Sequence, residues 1–217
     1  VFGRLPLRLA SSAIALGTNG WNQLVSRGAA PDSTSILPPP IDSTRFDKNG
    51  PTADLPVPEN HSVVLFVGRL TYLKGVETLQ RVIPLVVKRR EDIHFVAVGD
   101  QTNTIELPNG YHDHLTCIGP VNPQKISNYF RRADLLIHPS LTEGLPRVIA
   151  EALLTNTPVV ARDVGDVAYA TSNTFETDRE LIDMIEDYES LNIDKSARFS
   201  RTALRSEYIE YFTKVSN

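Results

Sequence analysis

Short apolar runs ending at glycine or proline recur along most of this chain, each followed by a stretch with helical spacing, and this alternation limits the fold more than any other feature. Val63 to Val67 is a continuous apolar run closed by Gly68, long enough for a buried strand and too short for a helix. Val76, Leu79, Val82, Ile83, Val86 and Val87 then recur at helical spacing, with Pro84 expected to kink or split the helix. Ile93 to Val98, Leu115 to Ile118, Leu135 to His138 and Pro158 to Ala161 read as further strands. Asn122 caps a helix that has Pro123 in its first position and Ile126, Tyr129, Phe130 and Ala133 on one face, and Pro146 opens the helix Arg147 to Leu154. Thr177 and Glu180 form a capping box ahead of Leu181, Ile182 and Ile185, and an amphipathic helix is expected from roughly Lys195 to Lys214. Strands apolar on both faces, alternating with helices, predict an α/β class: a Rossmann-like, doubly wound parallel sheet with helices on both sides.

The front of the chain is less regular. Ser12 to Leu16 and Ser35 to Leu37 read as short strands around a short helix from Asn19 to Arg27, and Pro38-Pro39-Pro40 ends the pattern. From there to Asn60 the composition is that of a linker or long surface connection, rich in Pro, Asp, Thr, Ser and Asn. Residues 1–48 are therefore read as the tail of a preceding domain with its connection, and residues 49–217 as the ligand-binding domain. The 26 acidic and 22 basic residues, net charge −4, are spread along the chain without the basic stripe that nucleic acid requires. The single cysteine, Cys117, cannot make an internal disulfide, so a cytoplasmic setting is expected. No apolar run approaches the roughly 20 residues of a membrane span. Arg4, Pro6 and Arg8 interrupt the apolar opening, which argues against a signal peptide and suits peripheral contact with a membrane surface.

Ligands of doubly wound sheets bind beyond the carboxyl ends of the strands, which selects four segments. Gly68-Arg69-Leu70-Thr71-Tyr72-Leu73-Lys74-Gly75 follows a strand and opens a helix, placing two cations and flanking glycines where a diphosphate would sit. The alternative, that Arg69 and Lys74 are solvated surface charges, stays open. Gly99-Asp100 and Gly119-Pro120 are strand-end turns that permit close backbone approach and are equally explained as ordinary turns. The fourth segment runs from Pro139 through Glu143, Gly144, Leu145 and Pro146 into the helix carrying Glu151. Both glutamates are expected to face one cleft and to accept hydrogen bonds from sugar hydroxyls, while backbone N–H groups near Gly144 and Leu145 suit an anion. Val148 to Leu154 is otherwise apolar, so a carboxylate at Glu151 needs a partner or a ligand. Tyr111-His112-Asp113-His114 reads as a polar loop rather than a metal site, and His138 as a packed residue rather than a base.

Taken in order, Val67-Gly68-Arg69-Leu70 with Lys74-Gly75, Val98-Gly99-Asp100, Ile118-Gly119, Pro139-Ser140, Glu143-Gly144-Leu145-Pro146, Glu151-Ala152 and Pro158-Val159-Val160 resemble the C-terminal domain of the GT-B-fold retaining glycosyltransferases of family 4, glycosyltransferase group 1. Ala13 to Leu16 and Ile41 to Phe46 resemble that family's last N-terminal strand and its interdomain connection. The resemblance implies transfer of a hexosyl-type sugar from a UDP- or GDP-linked donor to a hydroxyl of a glycan or lipid-linked acceptor, with retention of configuration. By residue it implies that Arg69, Lys74 and Glu143 act on the reacting groups: Arg69 and Lys74 hold the diphosphate beside Gly68 and Gly99. Glu143, Gly144, Leu145 and Pro146 hold the donor sugar, Glu151 the ribose, and Gly119-Pro120 lie near the base. No Asp-x-Asp motif is present, so cationic side chains rather than a metal are expected to stabilise the leaving group, and no cofactor beyond the donor is implied. Activity is expected to need the N-terminal domain, the chain alone binding donor only. Two readings of other classes remain, a nucleotide-sugar epimerase of related fold and a non-catalytic nucleotide-sugar binding module. The chain departs from the family pattern at Asn156, where glycine is usual, and after Val164-Gly165-Asp166, where a glutamate-containing turn is missing.

Overall fold

The computed structural model describes residues 5–194 and 197–216. A front layer comprises helix α1 (Leu5–Leu9), strand β1 (Ala13–Ala15), helix α2 (Thr18–Ser26) and strand β2 (Thr34–Ile36), with β1 and β2 paired in parallel. The larger sheet contains β3 (Ser62–Val67), β4 (Ile93–Val98), β5 (Leu115–Ile118), β6 (Leu135–His138), β7 (Val159–Arg162) and β8 (Thr174–Phe175). These six strands are all parallel and stand in the order β5-β4-β3-β6-β7-β8. The connecting helices are α3 (Val76–Val87), α4 (Ile126–Arg132), α5 (Arg147–Leu154), α6 (Val167–Ala170), α7 (Asp178–Glu186) and α8 (Arg201–Ser216). This is the expected doubly wound architecture, with the order of the strands reversing at β3.

The continuous apolar runs are explained by burial on both faces. Val64 and Phe66 pack into one core with Leu79, Val82, Ile83 and Val86 of α3 and Leu181 and Ile185 of α7. Val63 and Leu65 point into a second core with Phe130 of α4 and Ile149, Ala152 and Leu153 of α5. Each fully buried aliphatic or aromatic side chain contributes about 1.5–3 kcal/mol, which gives β3 a stake in both layers. The same burial accounts for α3, which continues over twelve residues without splitting at Pro84. Its last turn is anchored by Val86 and Val87, both buried, against a helix-interior proline cost of about 3 kcal/mol. The Thr177 capping box forms, with Glu180 N–H donating to Thr177 Oγ1 at 3.2 Å and Thr177 N–H to Glu180 Oε2 at 3.0 Å. Asn122 Oδ1 accepts the Gln124 N–H at 2.9 Å, as expected of a cap. Asn156 has φ +65°, the left-handed conformation that asparagine tolerates better than most residues.

Two expectations are corrected. The 38–60 segment is not simply a surface connection, because Ile41 and Phe46 are fully buried. Phe46 lies against Phe130 with ring centroids 6.1 Å apart, and the Ile41 backbone exchanges 2.8 Å hydrogen bonds with Phe199 and Arg201. The final helix begins at Arg201, the expected start at Lys195 lying outside the described residues. Its apolar residues do not share one buried face: Leu204 is buried, whereas Ile209, Phe212 and Val215 are 53%, 55% and 42% exposed. It is held to the front layer by polar tips, Tyr208 Oη donating to Pro38 O at 3.0 Å and Tyr211 Oη bonding Ser12 Oγ at 2.9 Å.

Candidate functional site

The loops after β3 and β4 are stitched together. Gly68 N–H donates to Val98 O at 2.9 Å and Leu70 N–H to Asp100 O at 2.8 Å. Gly99 has φ +141°, and a Cβ there would lie 2.1 Å from Gly68 O, so this passage admits only glycine. Gly68, Arg69 and Gly99 form one wall of a cavity of about 580 Å³ at the carboxyl ends of the strands. Pro120, Val121, Pro123 and Ile126 make an apolar wall, and Arg45, Arg147 and Glu151 close the remaining side. Apolar surface combined with three arginines and two carboxylates, Asp100 and Glu151, gives the cavity the polarity of a ligand with a flat ring and an anionic group.

Glu151 sits on α5 with 15% of its side chain exposed, and Arg147 Nη2 lies 3.7 Å from its Oε1, one helical turn back. Burial pushes the Glu151 carboxyl up from its ordinary value, opposed by the charges of Arg147 and Arg45.

Lys74 and Glu143 lie outside that cavity's lining. They meet where the loops after the neighbouring strands β3 and β6 adjoin, at the reversal of strand order, the place where ligands of such sheets gather. Leu141 N–H donates to Leu73 O at 2.9 Å, and Gly75, with φ +84°, packs so that a Cβ would lie 2.4 Å from Pro139 O. Across this seam Glu143 Oε1 accepts hydrogen bonds from Lys74 Nζ and, at 3.0 Å, from His138 Nε2. Burial pushes the Glu143 carboxyl up, but the hydrogen bonds from His138 and Lys74 prevail and hold it at about 2. His138 is buried, as expected, and it also positions Glu143.

Of the remaining predicted residues, Pro120 lines the cavity, whereas Gly119 borders open space with nothing within 4 Å of a Cβ. Leu145 is buried at 6% exposure, Pro146 precedes the first turn of α5, and Gly144 O accepts the Asp166 N–H at 2.9 Å. A smaller cleft of about 260 Å³ is lined by Gly144 and Asp166 together with Ile14 to Leu16 and Gly20 of the front layer. The His112–His114 turn stands ahead of β5, at the amino ends of the strands and away from both clusters. Its His114 ring stacks on His61 with centroids 5.7 Å apart. Among the described residues, no group of three or more His, Cys, Asp or Glu is placed to hold a metal ion.

The family model described as glycosyl transferases group 1 matches residues 61–187, the stretch that carries Arg69, Lys74, Glu143 and Glu151. The chain belongs to this family. Its relatives include the phosphatidylinositol N-acetylglucosaminyltransferase GPI3 subunit of Saccharomyces cerevisiae, 28% identical over 159 residues, 70% of this chain and 35% of that protein. The D-inositol 3-phosphate glycosyltransferase of Rhodococcus erythropolis is 31% identical over 161 residues, 67% of this chain and 36% of that protein. The chain thus spans about a third of the length of the curated relatives it matches. Among solved structures, HepE from Anabaena in complex with UDP and glucose superposes with a TM-score of 0.72 at 21% identity, covering 97% of this chain and 65% of that one. Sucrose-phosphate synthase from Thermosynechococcus elongatus gives 0.77 at 20%, covering 98% of this chain and 60% of that one. At these identities the likeness is one of fold, that of the GT-B glycosyltransferases.

Within this group 1 domain, Arg45, Arg147 and Asp166 escaped sequence reasoning. Arg147 stands four residues before Glu151 on one helix, a spacing that could have found it. Arg45 reaches the cavity from a connection some hundred residues away in sequence, and no linear spacing signals that approach.

Proposed function

We propose that this chain is the donor-binding half of a glycosyltransferase that moves a sugar from a UDP- or GDP-linked donor to an acceptor hydroxyl with retention of configuration. The observation that carries this reading is the single cavity joining Arg69, at the glycine-lined end of β3 and β4, to Glu151 on α5. Its apolar wall at Pro120, Val121 and Ile126 suits a base, Glu151 the ribose hydroxyls, and Arg69 the diphosphate. Lys74, at the adjoining seam, adds a second cation for the charge that develops on the leaving diphosphate, the electrostatic contribution on which such a transfer depends. Glu143, fixed by Lys74 and His138, accepts from donor-sugar hydroxyls beside Gly144, Leu145 and Pro146. Support also comes from a structural neighbour crystallised with UDP and glucose.

For the chain alone the reading is donor binding, because its relatives extend well beyond it. The acceptor is a glycan or lipid-linked hydroxyl, and the relatives named for phosphatidylinositol and D-inositol 3-phosphate make inositol-containing acceptors the first to test. No helix among the described residues is long and apolar enough to cross a membrane, so any contact with a lipid acceptor through this part is peripheral.

Calorimetry of the full-length protein with UDP and with GDP tests the site directly. One of the two should bind, and Arg69→Ala should weaken it by about 1.5–3 kcal/mol, the value of charge-assisted hydrogen bonds. Absence of binding by either nucleotide at millimolar concentration would sink the reading.

A further inference from the structure

Asp166 reaches α2 across the cleft between the front layer and the large sheet, and the donor site makes no use of it. Its Oδ1 accepts the Asn19 N–H at 2.5 Å and its Oδ2 the Gly20 N–H at 3.0 Å. The residue is only 6% exposed. Both amides belong to the first turn of α2, where backbone N–H groups have no partner within the helix. α2 supplies no cap of its own, since the capping position is Gly17 and no side chain there accepts a bond. Gly17 also makes the space: a Cβ at that position would lie 2.4 Å from Asp166 Cγ. A side chain 147 residues away from Asn19 thus performs the task usually given to a local serine or aspartate.

The other end of this contact is the loop of Glu143. Asp166 N–H donates to Gly144 O at 2.9 Å, and Gly165, at φ +61°, passes so close that a Cβ would lie 2.0 Å from Glu143 O. One residue therefore joins the amino end of α2 to the loop that holds Glu143. On its other side the front layer is tied by Tyr208 and Tyr211 of α8. The departure from the family pattern follows directly after this joint.

We propose that Asp166 is a positioning residue that caps α2 from across the cleft and so fixes the front layer against the Glu143 loop. The inference rests on the donor reading above: with the donor sugar held by the Glu143 loop, the seating of the front layer against that loop sets how an acceptor approaches it.

The test uses the full-length protein with Asp166→Ala, Asp166→Asn, Gly17→Ser, and Gly17→Ser combined with Asp166→Ala. Three quantities are measured: amide hydrogen exchange in the first turn of α2, UDP and GDP affinity, and kcat and KM for transfer. Asp166→Ala should speed that exchange by about tenfold or more. It should lower kcat about 10- to 100-fold, the scale of a misplaced reacting pair, with nucleotide affinity unchanged. Asp166→Asn, which keeps an acceptor oxygen without the charge, should recover part of the loss. Gly17→Ser gives α2 a local cap while pushing the carboxylate away, so exchange should stay slow while kcat falls, a split that simple helix destabilisation does not produce. The double variant should be no slower than either single one, since both break one contact. Unchanged α2 exchange in Asp166→Ala would overturn the proposal, as would wild-type kcat in folded Asp166→Ala and Gly17→Ser proteins. If the wild-type protein binds neither nucleotide, the donor reading fails by itself, and exchange still decides whether Asp166 holds α2.

Discussion

Replacing Glu143 by glutamine removes the charge on which Lys74 and His138 converge while keeping the size of the side chain. The carboxyl is held at about 2 against its ordinary 4.5, a gap of roughly 2.5 pH units at 1.36 kcal/mol per unit. Lys74 is 30% exposed, so solvent screens part of this, and about 2 kcal/mol is the reduced figure to expect. A group whose folded pKa is depressed contributes stability that is present above its unfolded value and is lost as pH falls toward the folded one. At pH 7 the wild-type protein should therefore outlast Glu143→Gln in urea by about 2 kcal/mol. The difference should shrink from about pH 4.5 downward and nearly vanish close to pH 2. Other carboxylates held low in the fold, such as Asp42 and Asp92, titrate in the same range, but they are common to both proteins and cancel in the difference. Urea midpoints that coincide at pH 7, or a gap that stays constant on acidification, would refute the view that Lys74 and His138 stabilise an ionised Glu143.

Gly99→Ala should cost at least about 2 kcal/mol in a thermal or urea melt, because it combines a left-handed backbone with a contact against Gly68 O, and it should weaken nucleotide binding along with stability. Glu151→Gln removes a carboxylate that burial disfavours, so its melting midpoint should not fall at neutral pH, while nucleotide affinity measured by calorimetry should drop. Because burial raises the Glu151 carboxyl from its ordinary value, wild-type affinity should decline as acidification protonates it, a slope that Glu151→Gln should lack. Thr177→Ala should cost about 1 kcal/mol through loss of the α7 cap, with no effect on nucleotide affinity.

The large sheet was legible because its central strands β3, β4, β6 and β7 are buried on both faces and so written as largely apolar runs. β8, with only Thr174 and Phe175, is too short to leave such a trace. The burial of Ile41 and Phe46 was not legible, since two isolated apolar residues in a proline-rich stretch have no period. Arg69 was legible because it stands just beyond the end of a strand, where the topology rule points, and Glu151 because it is a carboxylate in an otherwise apolar stretch of helix. The division of the site into a cavity at Arg69 and Glu151 and a separate seam at Lys74 and Glu143 depends on which loops touch, and spacing along the chain is silent about that. His138 shows the limit most plainly, for its burial follows from its strand, but its bond to Glu143 follows from the curl of the next loop.

That seam between the loops after β3 and β6 has a thermodynamic consequence. The Leu141 amide on Leu73 O, the Lys74 bond to Glu143, and a Gly75 packed against Pro139 O with no room for a methyl group set cation and carboxylate in place when the chain folds. The conformational freedom of both loops is surrendered then and not on binding, so a ligand arriving at the crevice keeps more of its contact energy as affinity. Under the proposed donor reading, discrimination at this flank rests on shape and charge already fixed.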